Sequence, residues 1–198
     1  MTLPLTVFLI VLRIAWRVAL CFLIADLIVG LVHWLEDSYG SPTWPIVGAA
    51  IIAPNLLHHA QPRAFLTKTW WQGSDVQAIV GGAILGIAAV CGWFSLELLL
   101  VVVLAVNANE FHRWAHRTRA ENGRLISFLQ DWKLLQSRAH HGRHHGGRRD
   151  SHYCAITAWV DPLLERIRLW RMLEAFIVAV SGVRRRVDPA VAARAQRG

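Results

Sequence analysis

Cysteine is scarce in this chain: there are three, Cys21, Cys91 and Cys154, and no two form a C-x-x-C pair. That excludes a disulfide scaffold and points to a reducing compartment or to buried thiols. Acidic residues are few as well, 13 against 21 Lys and Arg. Basic residues are themselves almost missing from the first half. Only Arg13, Arg17, Arg63 and Lys68 precede residue 110, and the other seventeen follow it. No basic segment stands before the first apolar run, which argues against a secretory signal peptide. The usual nucleic-acid-binding modules are absent, so the net charge of +8 is not read as affinity for nucleic acid. An apolar half followed by a basic half reads instead as a membrane protein with a cytoplasmic portion beside anionic lipid.

What is abundant agrees. Hydrophobic residues make up 55% and mean hydropathy is +0.36, too apolar for an ordinary soluble domain, and ten tryptophans suit membrane interfaces. Val18 to Leu35 is apolar apart from Asp26 and His33, with the run Leu3 to Leu12 continuing the same helix and Arg13 and Arg17 snorkelling. Val76 to Trp93, rich in glycine, is a second span. Phe94 to Val106 is a third, running on helically through His116. The expected spans are about 14–35, 76–93 and 95–112. "WPIVGAAIIAP", Trp44 to Pro54, is bracketed by prolines and too short to cross, which fits a re-entrant or interfacial segment. The expectation is an all-α integral membrane protein with about three transmembrane helices. A cytoplasmic histidine-rich cap is built from 37–75 and 113–180, and 181–198 forms a basic, flexible tail.

All ten histidines fall in five places: His33; His58 and His59; His112 and His116; His140, His141, His144 and His145; and His152. With three spans, every one lies on a single face of the membrane. His112 and His116 are spaced i, i+4 and share a helix face. Asp26, Gly30, His33 and Asp37 form one stripe, on which His33 and Asp37 reach a metal and Asp26 orients His33. Gly30 leaves room there for a helix or a substrate chain. Alone, "RAHHGRHHGG" is equally a solvated basic loop or a metal-buffering tract. Zinc takes about four ligands and commonly some thiolate, whereas eight or more histidines with a carboxylate supply two metals. Such a set fits a di-iron, oxygen-activating centre above a lipid-facing cavity. A histidine-rich metal transporter or sensor is the non-enzyme alternative. It expects ionisable residues strung through the spans, where the apolar runs up to Val106 hold only Asp26 and Glu97 as acidic residues.

The stretches "ADLIVGLVHWLEDSYG", "HHAQP", "HRWAH", "QDWKLLQSRAHHGRHH" and "YCAITAWVDPLLERI", in that order, resemble the plasmanylethanolamine desaturase family of the Kua/CarF type. The resemblance spans roughly Ala25 to Trp170. It implies one lipid-desaturase domain holding two iron ions, with O2 as co-substrate, a membrane phospholipid as substrate, and electrons from a cytochrome b5-like or ferredoxin-like donor. Carried over by position, the ligands are His33, Asp37, His58, His59, His112, His116, His141, His144 and His145. Asp26, His140, His152 and Asp131 take supporting places. The reaction implied is vinyl-ether formation between C1 and C2 of the sn-1 alkyl chain of a plasmanyl lipid. One departure bears on substrate: animal and bacterial members usually carry His-Asp where this chain has Lys68-Thr69. A plant branch making a trans-3 double bond in phosphatidylglycerol palmitate also lacks that pair, so an acyl-lipid desaturase, or a related hydroxylase, is the alternative. Arg148, Arg149 and Arg184 to Arg186 offer a basic surface for an acidic donor or for lipid headgroups. The Ala/Arg-rich composition and the lack of an endoplasmic-reticulum retrieval signal point to a bacterial inner membrane, metal site on the cytoplasmic side.

Overall fold

The computed structural model describes residues 2–195, and among the described residues there are helices and loops but no strand. The first apolar half becomes one uninterrupted helix, α1 (Thr2–Tyr39). At 1.5 Å per residue it is about 57 Å long, nearly twice the roughly 30 Å of a bilayer core. Its two halves differ. Leu5 to Ile14 touch little of the protein and stay exposed, whereas Cys21, Ala25, Asp26, Trp34, Asp37 and Ser38 are buried.

α2 (Ala53–Ala60) is entered through a π-helical turn, Gly48–Ile52. The expected short, non-crossing segment thus exists as a turn of helix leading straight to His58 and His59. α3 (Trp70–Val90) starts at a capping box, in which Thr69 Oγ1 accepts from Gln72 N–H (3.3 Å) and Gln72 Oε1 accepts from Thr69 N–H (2.9 Å). It turns back at Gly92, whose φ of +72° favours glycine. α4 (Leu96–Val106) then begins with Ser95 as N-cap, Oγ accepting from Leu98 N–H at 3.1 Å. Gly81 brings α3 and α4 together, since a Cβ there would stand under 3 Å from Val102 and Val106. Arg17 does not snorkel alone but pairs with Glu97 on α4.

α1 and α3 are long and apolar enough to cross a membrane. The third expected span is met only by the eleven residues of α4, because the helix does not run on to His116. It breaks at Asn107, whose side chain donates to the Val103 carbonyl (2.8 Å) and accepts from Trp70 Nε1 (2.9 Å). The chain resumes after this one residue as α5 (Ala108–His116).

α6 (Arg119–Asp131) and α7 (Arg138–His145) follow, then α8 (Val160–Arg166) and α9 (Leu169–Ser181). Between α7 and α8 the segment 153–157 is wedged into the core. Tyr153 and Cys154 pack with Trp34, Val160, Leu164 and Trp170, and Ile156 packs with Ala25 and Leu104. The room that Gly30 leaves on α1 is filled by this segment, for a Cβ there would meet Cys154 Sγ at 2.8 Å. The expected flexible tail differs most. Residues 182–188 lie along the end of α1 and lead into α10 (Pro189–Ala195). Arg186 N–H donates to the Ser38 carbonyl (2.7 Å), and its guanidinium to those of Glu36, Asp37 and Gly40. These are the orphan acceptors of a helix C-terminus, which a cation satisfies. Residues 196–198 of the expected tail lie outside the described residues.

Candidate metal centre

Four helices bring the nine expected ligands together. α1 projects His33 and Asp37 from adjacent turns. α2 ends in His58 and His59, and α5 carries His112 and His116. The stretch expected as a loop folding back over the helices is itself a helix, α7, capped by Ser137, whose Oγ accepts from His140 N–H at 3.2 Å. Helical spacing puts His141, His144 and His145 on one face of it.

The side chains sort into two groups, each with its donor atoms within 4.8 Å of one another: His58, His112, His116, His141 and His145; and His33, Asp37, His59 and His144. The groups adjoin, because α2 and α7 contribute to both and the His33 and His112 rings lie 5.9 Å apart. In the first group Nε2 atoms meet in a chain. His58 approaches His145 at 3.0 Å, His145 approaches His141 at 3.0 Å, His141 approaches His112 at 2.8 Å, and His112 approaches His116 at 3.1 Å. In the second, His144 Nε2 stands 3.1 Å from His59 Nε2, and Asp37 Oδ2 stands 3.3, 3.5 and 3.6 Å from Nε2 of His144, His59 and His33.

This chemistry fits cations better than hydrogen bonds. The far nitrogens of the second group each face an oxygen acceptor: His33 Nδ1 the Tyr153 carbonyl (2.9 Å), His144 Nδ1 the Ser151 carbonyl (2.9 Å), and His59 Nδ1 the Asp188 carboxylate (2.8 Å). In the neutral form that ligates metal an imidazole has one N–H; with that proton on Nδ1, three Nε2 lone pairs converge on a carboxylate oxygen. His33 Nε2 and Asp37 Oδ2 are buried without a partner, while Asp37 Oδ1 is occupied by Asn55 Nδ2 at 2.6 Å. Four electron-rich atoms so placed repel one another unless a cation lies between them. In the first group an Nε2 carries either a proton or a lone pair, so hydrogen bonds cannot serve all four contacts of the chain.

Burial first, and mutual repulsion second, keep the first group neutral. His116 is lowered to about 3 and His145 to about 2, and His58, His112 and His141 also fall well below the ordinary imidazole value. Neutral imidazoles are the form that ligates metal.

The supporting residues fall out differently from expectation. Asp26 does not touch His33. Its carboxylate accepts from the backbone N–H of Ala155 (3.1 Å), Ile156 (2.8 Å) and Thr157 (2.9 Å) and from Thr157 Oγ1 (2.7 Å). It therefore acts on His33 through the segment carrying Tyr153. His140 stands outside both groups, with Nε2 3.0 Å from Asp161 Oδ2, and Asp161 Oδ1 accepts from Cys154 N–H. His152 touches the His140 ring at 5.6 Å and belongs to neither group. Asp131 is on the exposed surface, paired with Arg119 at 2.5 Å, because α6 breaks at Gly123 (φ +69°) and its first and last residues meet. Of the expected basic surface, Arg149 is buried against Asp188, and Arg185 and Arg186 are drawn inward by Glu174 and by the α1 carbonyls. Arg148 and Arg184 stay exposed.

Asp188 is the residue that sequence reasoning missed. It orients His59 and is held by Arg149 Nη1 at 3.1 Å to each oxygen. An aspartate after three arginines gives no sequence signal of this role. Asp188→Ala frees the His59 ring and is expected to weaken metal retention about 10- to 100-fold. Metal content after dialysis against a graded chelator reads this out, and retention equal to the parent protein would refute the role.

Beside the first group lies a cavity of about 400 Å3 between α1, α3 and α4. Ile28, Val32, Val80, Ile84 and Val102 form its apolar length, and His33, His58 and His112 stand in its wall.

The lipid desaturase domain family matches residues 22–188, most of the chain and up to Asp188 itself. A probable fatty acid desaturase of Acanthamoeba polyphaga mimivirus is 33% identical over 175 residues, 86% of this chain and 85% of that protein. Plasmanylethanolamine desaturase 1 of Mus musculus is 31% identical over 180 residues, 84% of this chain and 65% of the mouse protein. Plasmanylethanolamine desaturase of Myxococcus xanthus is 30% identical over 188 residues, 90% of this chain and 66% of its own length. The chain therefore spans just under two thirds of the latter two. No solved structure matches.

Proposed function

The chain belongs to the lipid desaturase family, and from that premise we propose that it is a di-iron, O2-dependent membrane lipid desaturase. The observation that carries the reading is the pair of histidine groups against a largely apolar cavity. We assign His58, His112, His116, His141 and His145 to one iron, and His33, Asp37, His59 and His144 to the other. Imidazole with carboxylate, and no thiolate, suits iron.

When bound, the two irons supply the oxidising power to break unactivated C–H bonds. The lipid loses two hydrogens, and O2 becomes two waters with two electrons and two protons from outside. The residues of the chain do the rest. The Nδ1–H donations to Tyr153, Ser151 and Asp188 lock three rings with Nε2 inward, so no reorientation accompanies loading. The walls from α1, α3 and α4 hold the lipid chain extended and keep water away. The substrate we assign is a plasmanyl phospholipid, desaturated at C1–C2 of the sn-1 alkyl chain to a vinyl ether. An acyl-lipid substrate is the second reading, favoured by the name of the viral relative, a probable fatty acid desaturase, and by the completeness of that match. We place the protein in a bacterial inner membrane with the centre on the cytoplasmic side, served by a cytochrome b5-like or ferredoxin-like donor.

The test is mass spectrometry of lipids from a host expressing the chain and fed alkyl-ether phospholipid. Acid-labile vinyl ethers are expected. A trans-3 acyl product instead would move the assignment to the second reading, and unchanged lipids from iron-loaded protein with a working donor would refute desaturation.

A further inference from the structure

The cavity carries cations that neither the histidine groups nor their supports use. Lys68 and Arg113 both line it. Lys68 stands one turn from the centre: its N–H donates to the Phe65 carbonyl at 3.2 Å, and the Phe65 ring packs on His58, His112 and His116 with centroids 4.6, 5.2 and 5.4 Å away. Its ammonium enters no ion pair among the described residues. Arg113 follows His112 directly and is 6% exposed. One of its nitrogens, Nη1, pairs with Glu110 at 3.0 Å, but its buried Nε has no acceptor. Nη2 lies against the start of α3, 3.6 Å from where a Gly73 Cβ would stand, five residues on from Lys68.

We propose that Lys68 and Arg113 form a phosphodiester subsite that holds the substrate by its phosphate and thereby sets which carbon reaches the metal. This rests on the lipid-desaturase reading and deepens it. A guanidinium whose Nε lacks an acceptor and an ammonium in the wall of the same cavity are the donors that phosphate oxygens take. The carboxylates of Glu36 and Asp75 share the wall, so the cavity offers both signs, as a phosphodiester with a cationic terminus requires. Those carboxylates also disfavour a second anionic charge.

Distance then becomes selectivity. Phosphorus and the first carbon of an sn-1 chain are six bonds apart, about 7 Å when extended at ordinary bond lengths. A phosphate gripped one turn from Phe65 and one residue from His112 therefore presents the first few chain carbons to the centre. A carbon eight bonds further lies about 10 Å beyond, so the site desaturates next to the headgroup and not at mid-chain. This holds for an ether or an acyl linkage.

The experiment uses the iron-loaded protein in detergent without electron donor, so that it binds lipid but does not turn over. Tryptophan fluorescence reads binding of a saturated 1-alkyl-2-acyl glycerophosphoethanolamine, and of the matching alkyl-acyl glycerol without phosphate. Lys68→Ala and Arg113→Gln are each expected to weaken the phospholipid about tenfold and to leave the phosphate-free lipid unchanged. Lys68 is exposed, so its variant keeps the fold and carries the test if the arginine variant loses iron. Equal binding of the two lipids by the parent, or no loss in Lys68→Ala, would overturn the subsite. So would inorganic phosphate displacing the lipid at concentrations comparable to the lipid's own. Failure of the larger reading looks different: phosphate-dependent binding persists, yet no double bond forms when a competent donor is added.

Discussion

With the two irons assigned as proposed, replacing His144 by alanine is expected to abolish desaturated product and to lower iron from two per chain to one or fewer. His144 is wholly buried and is the hinge of the second group: Nε2 faces both His59 Nε2 and Asp37 Oδ2, and Nδ1 is fixed by the Ser151 carbonyl. Alanine removes one of three imidazoles and leaves Asp37 Oδ2, already without a hydrogen-bond donor, facing a void. Residues that merely orient a metal ligand cost 10- to 100-fold when lost, so loss of the ligand costs at least about 100-fold. His33→Ala, which removes the ring tied to Tyr153, follows the same course. His152→Ala is the contrasting control and keeps most of its product. Product by mass spectrometry and iron by elemental analysis decide the matter. Full activity in either ligand variant would refute the assignment of the second group.

The largest loss of stability is expected from Asp26→Ala. Its carboxylate is fully buried in the middle of α1 and serves four donors, three of them the consecutive N–H groups of residues 155–157. Alanine leaves those backbone donors buried and unpaired, at about 1–3 kcal/mol apiece. The total of several kcal/mol rivals the net stability of a small domain. Asp26→Asn is milder, since one oxygen remains to accept. Thermal unfolding in detergent measures the difference. An Asp26→Ala protein as stable as its parent would show that the segment is held by packing alone. The loss should reach the metal too, because Tyr153, whose carbonyl fixes His33, lies two residues before the first N–H that Asp26 holds.

The stripe on α1 shows what was legible in the sequence. Helical spacing gives the common face of Asp26, Gly30, His33 and Asp37, and the structure keeps all four on it. It does not give what faces them: Gly30 and Asp26 meet residues 154–157, more than 120 positions away. The histidine pairs were visible because they repeat short spacings, yet the break between α4 and α5 falls at one residue, Asn107, at the end of an apolar run. Asp188 was hidden in a basic stretch whose composition reads as solvated tail, and its partner Arg149 lies 39 positions earlier. Their pairing is a long-range electrostatic fact with no local periodicity behind it.

α7 has a consequence for biosynthesis. It supplies His141 and His145 to one group and His144 to the other, so neither group is complete until this helix has been made. His144 follows its partner His59 by 85 residues, roughly 4–17 s of synthesis at 5–20 residues per second. During that interval α1 and α2 already display His33, Asp37, His58 and His59 as an open half-site. Such a half-site, lacking the geometry that distinguishes metals, ranks divalent ions by intrinsic affinity, and copper and zinc outrank iron on that scale. Correct metallation is then a matter of timing: α7 must arrive, and the cell must keep competing ions scarce until it does.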